Sequence, residues 1–184
     1  MASFKSACLN TLQYEGGYSN RPEADHGGET YMGISRRWHP TWVGWVEIDR
    51  IKALGPIAQG ARELMDISEV LALYRRVFWD ELNGDAIQDQ IVAAQLFDHA
   101  VTCGVKDAVR ILQLACGATK DGIMGPSTLH LANVASTSDK YAFRRRLFKL
   151  RLCYYLEESE KSLLQSANLP SWVRRTVKCY TGEA

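Results

Sequence analysis

The sequence predicts a mainly α fold of the α+β class, with one small β-hairpin near the N-terminus. Three observations carry this prediction. Apolar residues recur at helical spacing behind recognisable caps along most of the chain, strand signals are confined to residues 17–34, and the connections are short, without linker composition or internal repeats. The 184 residues, 46% of them apolar, suffice for one domain, or one domain with two lobes. A chain of this length buries roughly 70% of its unfolded surface.

In chain order, Ser3 is placed to cap a helix whose apolar stripe reads Phe4, Ala7, Cys8 and Leu12. Gly16-Gly17 stops it, so the helix is expected to run to Glu15. Between Gly17 and Ile34, YSN and ETYMGI read as two extended pieces around a turn-rich connection. Trp38, Trp42 and Trp45 stand beside Pro40 and Gly44, which points to a loop. Asp66 caps an amphipathic helix carrying Val70, Leu71, Tyr74, Val77 and Phe78. Further helices are expected from about Ala86 to Gly104, from Lys106 to Cys116 with Gly117 as the stop, from Pro126, from Asp139 to about Glu158, and after Pro170.

Charge excludes some function classes. Lys and Arg number 22 against 21 Asp and Glu, which fits neither a disordered chain nor a strongly basic nucleic-acid binder. The near-balance hides an asymmetry: residues 1–92 hold 9 basic and 13 acidic side chains, residues 93–184 hold 13 and 8. That suits a polyanionic polymer bound near a carboxylate-lined site, and equally two mutually attracting lobes. The five cysteines include no C-x-x-C pair and cannot all be disulfide-bonded. Buried apolar thiols are expected, with one or two disulfides open in an oxidising compartment. No apolar leader or membrane-length segment is visible, so synthesis in the cytoplasm without an anchor is expected.

The chemistry centres on Glu15. A glutamate at a helix C-terminus, at the end of an apolar stripe, meets the negative end of the helix dipole and apolar neighbours. Both favour the protonated acid, which can protonate a leaving oxygen. A solvated helix-end glutamate is the plain alternative.

The stretch around Glu15 sharpens the choice. EGGYSN (15–20), then D-x-GGET-x-x-GI (25–34), resembles the N-acetylmuramidases of glycoside hydrolase family 108, which are phage endolysins and related secretion activators. QLFDHAV-x-x-G (95–104) and LQLACG-x-x-x-DGIMGPSTL (112–129) resemble the associated peptidoglycan-binding region. The resemblance spans roughly residues 9–135. It implies a lysozyme-like, two-lobed fold, with a catalytic lobe over 1–90 and a helical peptidoglycan-binding-like lobe over 91–184 inside one compact domain. It places the catalytic acid on Glu15. By analogy with phage-type lysozymes, Asp25 would orient or activate water, and Thr30 would hold that water or the Asp. A turn-forming Asp25 and a plain strand Thr30 stay open.

Tyr18, Asn20, Tyr31 and Met32 lie beside these carboxylates in sequence and are candidates to bind saccharide; Tyr14 and Tyr31 are equally suited to the core. Asp98, in an apolar helix, needs partners and is assigned a supporting role behind the site. Asp121 reads as a turn residue. The four histidines show no ligand spacing, so no metal is expected, nor any other cofactor. The basic run Arg144-Arg145-Arg146 with Lys149 and Arg151 is either a solvated face or an attraction for anionic wall polymers. The tryptophan cluster either stacks on sugar or plugs the core. The resulting expectation is an endolysin that hydrolyses the β-1,4 bond between N-acetylmuramic acid and N-acetylglucosamine. Its partner is the glycan strand of peptidoglycan, with no nucleic acid and no stable membrane insertion. It would be a monomer made in the host cytoplasm that acts on the wall, with release through a holin or equivalent left open. A lytic transglycosylase, or a catalytically inactive wall-binding or secretion-activating protein, is the alternative.

Overall fold

The computed structural model describes residues 1–20 and 28–181. It divides into two compact units: Leu12–Arg75, and Met1–Thr11 joined with Arg76–Ala184. The mainly helical architecture with a small N-terminal sheet is as the sequence predicts.

In the unit Leu12–Arg75, β1 (Ser19–Asn20), β2 (Glu29–Tyr31) and β3 (Ile34–Ser35) form a three-stranded antiparallel sheet in that order. Ser19 pairs with Thr30, and Tyr31 with Ile34. The β2–β3 connection is a two-residue turn, Met32-Gly33, with φ of 47° and 79°. Two positive φ values mark the type I′ geometry that matches strand twist. The sequence reading anticipated one hairpin and missed this second one, because Met takes the place usually held by Asn or Asp. Two helices complete the unit, α2 (Gly44–Leu54) and α3 (Ser68–Tyr74).

Helix α2 begins inside the segment expected to be a loop. Its Trp45 and Ile48, one turn apart, are both buried. Trp42 meets Trp45 edge to face at 5.1 Å and lies parallel to Tyr31 at 6.3 Å. Each indole N–H donates to a backbone carbonyl, Trp42 to Glu69 and Trp45 to His39. Two of the three tryptophans are therefore core; Trp38 is 69% exposed. Asp66 accepts the Ser68 amide at 2.7 Å, as its capping role requires, and a π-helical turn, Arg75–Trp79, takes over where a continuous α-helix was expected.

The other unit holds α1 (Phe4–Leu12) as far as Thr11, α4 (Gln90–Cys103), α5 (Val105–Cys116), α6 (Pro126–Ser138), α7 (Lys140–Ser159) and α8 (Leu163–Thr181). Phe4, Trp79 and Phe97 pack edge to face at 5.6–5.9 Å. Asp89 caps α4 by accepting the Ile91 and Val92 amides, and Asp139 caps α7 through the Ala142 amide. Three boundaries differ from expectation. Helix α4 starts at Gln90, after a separate 3-10 turn at Gly84–Ala86. Helix α1 ends at Leu12, the Glu15 amide turning back to the Leu12 carbonyl in a tighter i→i+3 bond. Helix α8 starts before Pro170 and runs through it. The Pro170 ring is on the exposed side, where solvent can serve the carbonyl that proline leaves unbonded.

Asp98 lies in the middle of this unit, fully buried. Its Oδ2 accepts from Arg151 at 2.6 Å, and its Oδ1 from Arg175 at 2.9 and 3.0 Å and from Thr11 at 3.2 Å. Burial works against its charge, but the two guanidinium groups outweigh it and hold the carboxyl below its ordinary value. These partners come from α1, α7 and α8. Arg151, which the sequence grouped with the basic run, is thus a core residue, and Arg144 of the same run forms an ion pair with Asp89 at 2.7 Å. Cys8, Cys103 and Cys179 are thiols, all pushed up to about 11–12 by burial. No helix among the described residues is long and apolar enough to cross a membrane.

Candidate active site

Glu15 follows α1 in a bend and is half-buried. The Arg62 guanidinium fixes that bend by donating to the carbonyls of Glu15, at 2.5 Å, and Leu12, at 2.8 Å. Gly17 is pressed against Gly60 and Ala61: a Cβ there would stand 2.2 Å from the Gly60 carbonyl oxygen. The Tyr18 amide donates to Ala61, and the Gly60 amide to Tyr18, both at 2.7 Å. The second glycine of the EGGY motif thus permits a close backbone crossing, five residues beyond the end of α1 at Leu12.

The Glu15 carboxylate reaches the β2–β3 turn. A Cβ at Gly33 would lie 2.7 Å from Glu15 Oε2 and 2.5 Å from Tyr74 Oη. Only a residue with no side chain lets the carboxylate and the phenol meet the turn from these positions. Tyr74, buried in α3, donates its hydroxyl to the Met32 carbonyl at 2.8 Å, which fixes the turn from the other side.

Beside this lies a charged network on the sheet. The Glu29 carboxylate accepts from Tyr18 Oη at 2.8 Å, from Arg36 at 2.5 Å and from Lys52 at 2.8 Å. Arg36 also pairs with Asp49 and lies over the Trp45 ring at 4.9 Å. Burial opposes the Glu29 charge, but the Lys52, Tyr18 and Arg36 contacts prevail and lower its pKa. Tyr18 moves the opposite way, to about 12, through burial and then its bond to ionised Glu29. Glu29 is consumed in organising the sheet and is not available as a base. Tyr18 is a neutral phenol whose proton is already donated, leaving it only an acceptor for a ligand.

The sequence-predicted residues separate into groups. Asp25 lies outside the described residues, as does its neighbour His26. Thr30 is central in the sheet, paired to both Ser19 and Ser35, and half-buried. Tyr18 and Asn20 line a depression of about 340 Å³ with Lys52 and Pro56. Tyr31 and Met32 line another of about 510 Å³ with Arg62, Glu63 and Ile67. The Tyr31 ring is 1% exposed and its hydroxyl donates to the Arg62 carbonyl at 2.5 Å, so it forms a wall and not an open platform. Asp98 belongs to the other unit, with the partners given above. Sequence reasoning missed Gly33, Tyr74, Glu29 and Arg62. Glu29 and Gly33 stand inside the quoted motif, whereas nothing local to Arg62 or Tyr74 signals that they serve Glu15. Among the described residues no group of His, Cys, Asp and Glu side chains could hold a metal ion.

The family model described as glycosyl hydrolase 108 matches residues 8–104, and a second, described as a predicted peptidoglycan domain, matches 107–177. No curated protein matches the chain. Among solved structures, that of Brucella abortus SagA resembles it with a TM-score of 0.68 at 22% identity, over 97% of this chain and 92% of that one. At that identity the likeness speaks for the fold.

Proposed function

This chain belongs to glycosyl hydrolase family 108, and we propose that it is an N-acetylmuramidase cleaving the β-1,4 bond between N-acetylmuramic acid and N-acetylglucosamine. The peptidoglycan-domain match over its second half supports the wall polymer as substrate. One observation carries the reading: the Glu15 carboxylate is held against the Met32-Gly33 turn by a backbone bend that Arg62 fixes.

In this reading Glu15 protonates the glycosidic oxygen as the bond breaks, a general-acid role that contributes roughly 10²–10⁴-fold. Positive charge develops on the sugar ring, and water attacks its anomeric carbon. Asp25 activates or orients that water, and Thr30 steadies it. Neutral Tyr18 and Asn20 on one side of the sheet, and the Met32 wall on the other, are the surfaces offered to neighbouring sugars. A chain of this kind suits phage-driven lysis, reaching the wall once a holin or equivalent opens the membrane.

The test is mass spectrometry of soluble fragments released from purified peptidoglycan by the wild type, Glu15→Gln and Asp25→Asn. Expected are fragments ending in reducing muramic acid, lost with Glu15→Gln and strongly reduced with Asp25→Asn. Anhydro-muramoyl ends would move the protein to the transglycosylases, and sacculi bound without release of fragments would remove the enzymatic reading.

A further inference from the structure

We propose that a pocket on the helical unit, walled by Asp107, Arg110, Lys120 and Tyr154, binds an amino-acid centre carrying ammonium and carboxylate together, the end group of a diamino acid in the peptide stems of the wall. This rests on the reading of the chain as a peptidoglycan-acting protein. It concerns the stem peptide, whereas the catalytic reading concerns the glycan.

The pocket measures about 340 Å³ and has buried Ile111 among its walls. That is the lower end of ligand-sized pockets, about 300–1,000 Å³, and suits one amino-acid residue. Asp107 stands in the first turn of α5. Its Oδ1 accepts from Arg110 at 3.0 Å and its Oδ2 from Tyr154 at 3.3 Å. Each oxygen keeps acceptor capacity, so the carboxylate is oriented and still able to take an ammonium. Lys120 is exposed, with no hydrogen bond or ion pair among the described residues, and Arg110 gives Asp107 only one of its five N–H groups. A carboxylate between Lys120 and Arg110 would complete both.

The D-G-I-M-G turn builds this wall. Gln113, fully buried, donates to Asp121 Oδ1 at 2.7 Å and to the Ile123 carbonyl at 3.1 Å, and accepts the Gly122 amide at 2.9 Å. Gly122 has φ of 77°, and a Cβ on it would stand 2.7 Å from Lys106 Cγ and 3.3 Å from Arg110 Nε. The turn therefore rests directly on Arg110 and fixes the loop that carries Lys120. Asp121 does not face a ligand; it shapes the place where one would bind.

The lining selects charge over sugar. Its one aromatic ring, Tyr154, is already engaged edge-on with His99 at 4.9 Å and Tyr155 at 5.9 Å. One carboxylate and two cations match a zwitterion, with a net preference for its acid end. All five lining residues fall within the stretch that matches the peptidoglycan domain.

The experiment titrates the full chain with the free tripeptide L-Ala-γ-D-Glu-meso-diaminopimelate, and with the same tripeptide carrying L-Lys in the third position, following chemical shifts or heat. Expected is saturable one-to-one binding of the first. The lysine form, lacking the terminal carboxylate, should bind about tenfold more weakly, a loss matching one charge-assisted contact. Lys120→Ala should cost about the same factor, while leaving the melting temperature and the cleavage of peptide-free glycan strands unchanged. No saturation, equal affinity for both tripeptides, or an unaffected Lys120→Ala would overturn the proposal. If the wild type binds the diaminopimelate tripeptide selectively yet releases no glycan fragments, the catalytic reading falls and the pocket stands; cleavage without tripeptide binding has the reverse meaning.

Discussion

Replacing Gly33 by alanine adds one methyl group at the point where Glu15, Tyr74 and the β2–β3 turn converge. Ordinary contact for a Cβ begins near 3.4 Å, and the new atom would stand 2.7 Å from Glu15 Oε2, so the carboxylate must retreat by about 0.7 Å. Tyr74 Oη must yield further, from 2.5 Å, while its bond to the Met32 carbonyl resists. The backbone adds strain of its own, since a φ of 79° costs an L-residue about 1–2 kcal/mol. Thermal or urea unfolding should therefore show a loss of about 1–3 kcal/mol. Displacements approaching 1 Å in a reacting group cost on the order of 10²-fold in rate, so clearing of purified sacculi should fall by about 10–100-fold, far beyond what the stability loss alone would cause at 25 °C. Tyr74→Phe serves as the comparison: it removes the hydroxyl without crowding Glu15 and should lose about 1 kcal/mol with a much smaller drop in rate. A Gly33→Ala protein that is folded and clears sacculi within twofold of the wild type would show that the position of the Glu15 carboxylate against this turn is irrelevant to catalysis.

Two further outcomes follow from the helical unit. Asp98→Ala leaves the Arg151 and Arg175 guanidinium groups buried without their carboxylate, which should cost about 3–5 kcal/mol; denaturant midpoints within error of the wild type would contradict this account of the core. His99 is held neutral, its pKa lowered to about 3 by burial and then by Arg151. The unfolded chain takes up a proton near pH 6.5 that the folded chain refuses, so stability present above that pH is lost as pH falls toward 3. The slope is about 1.4 kcal/mol per pH unit. Between pH 6.5 and 4.5, above the carboxylate range, urea midpoints should decline in the wild type and stay flatter in His99→Gln; equal slopes would refute the assignment.

Helices whose caps and stripes agree were legible from sequence alone. Asp139 caps α7 through its side chain, Pro126 opens α6, and Gly104 and Gly117 close α4 and α5, whereas the Asp89 cap of α4 went unread. Helix α2 was obscured because Trp42, Gly44 and Trp45 carry turn-like composition locally, while the Tyr31 and Glu69 contacts that hold Trp42 in place arise only on folding. The basic run was misread in part for the same reason: nothing near Arg151 in sequence announces that Asp98, 53 residues earlier, will meet it in the core. Around the site, Glu15 stood out through its neighbouring motif, but the support it receives from Arg62 and Tyr74 arises only on folding.

The partners of Asp98 impose an order on synthesis. Thr11 leaves the ribosome before Asp98, Asp98 before Arg151, and Arg151 before Arg175. Until α8 emerges, the carboxylate at the middle of the bundle lacks half its countercharge, so the helical unit has reason to stay open. The stretch Leu12–Arg75, which carries Glu15, is complete long before and forms a unit of its own. A nascent chain can thus shape the turn against Glu15 well ahead of the bundle, and a chain stopped between α7 and α8 holds Asp98 without Arg175.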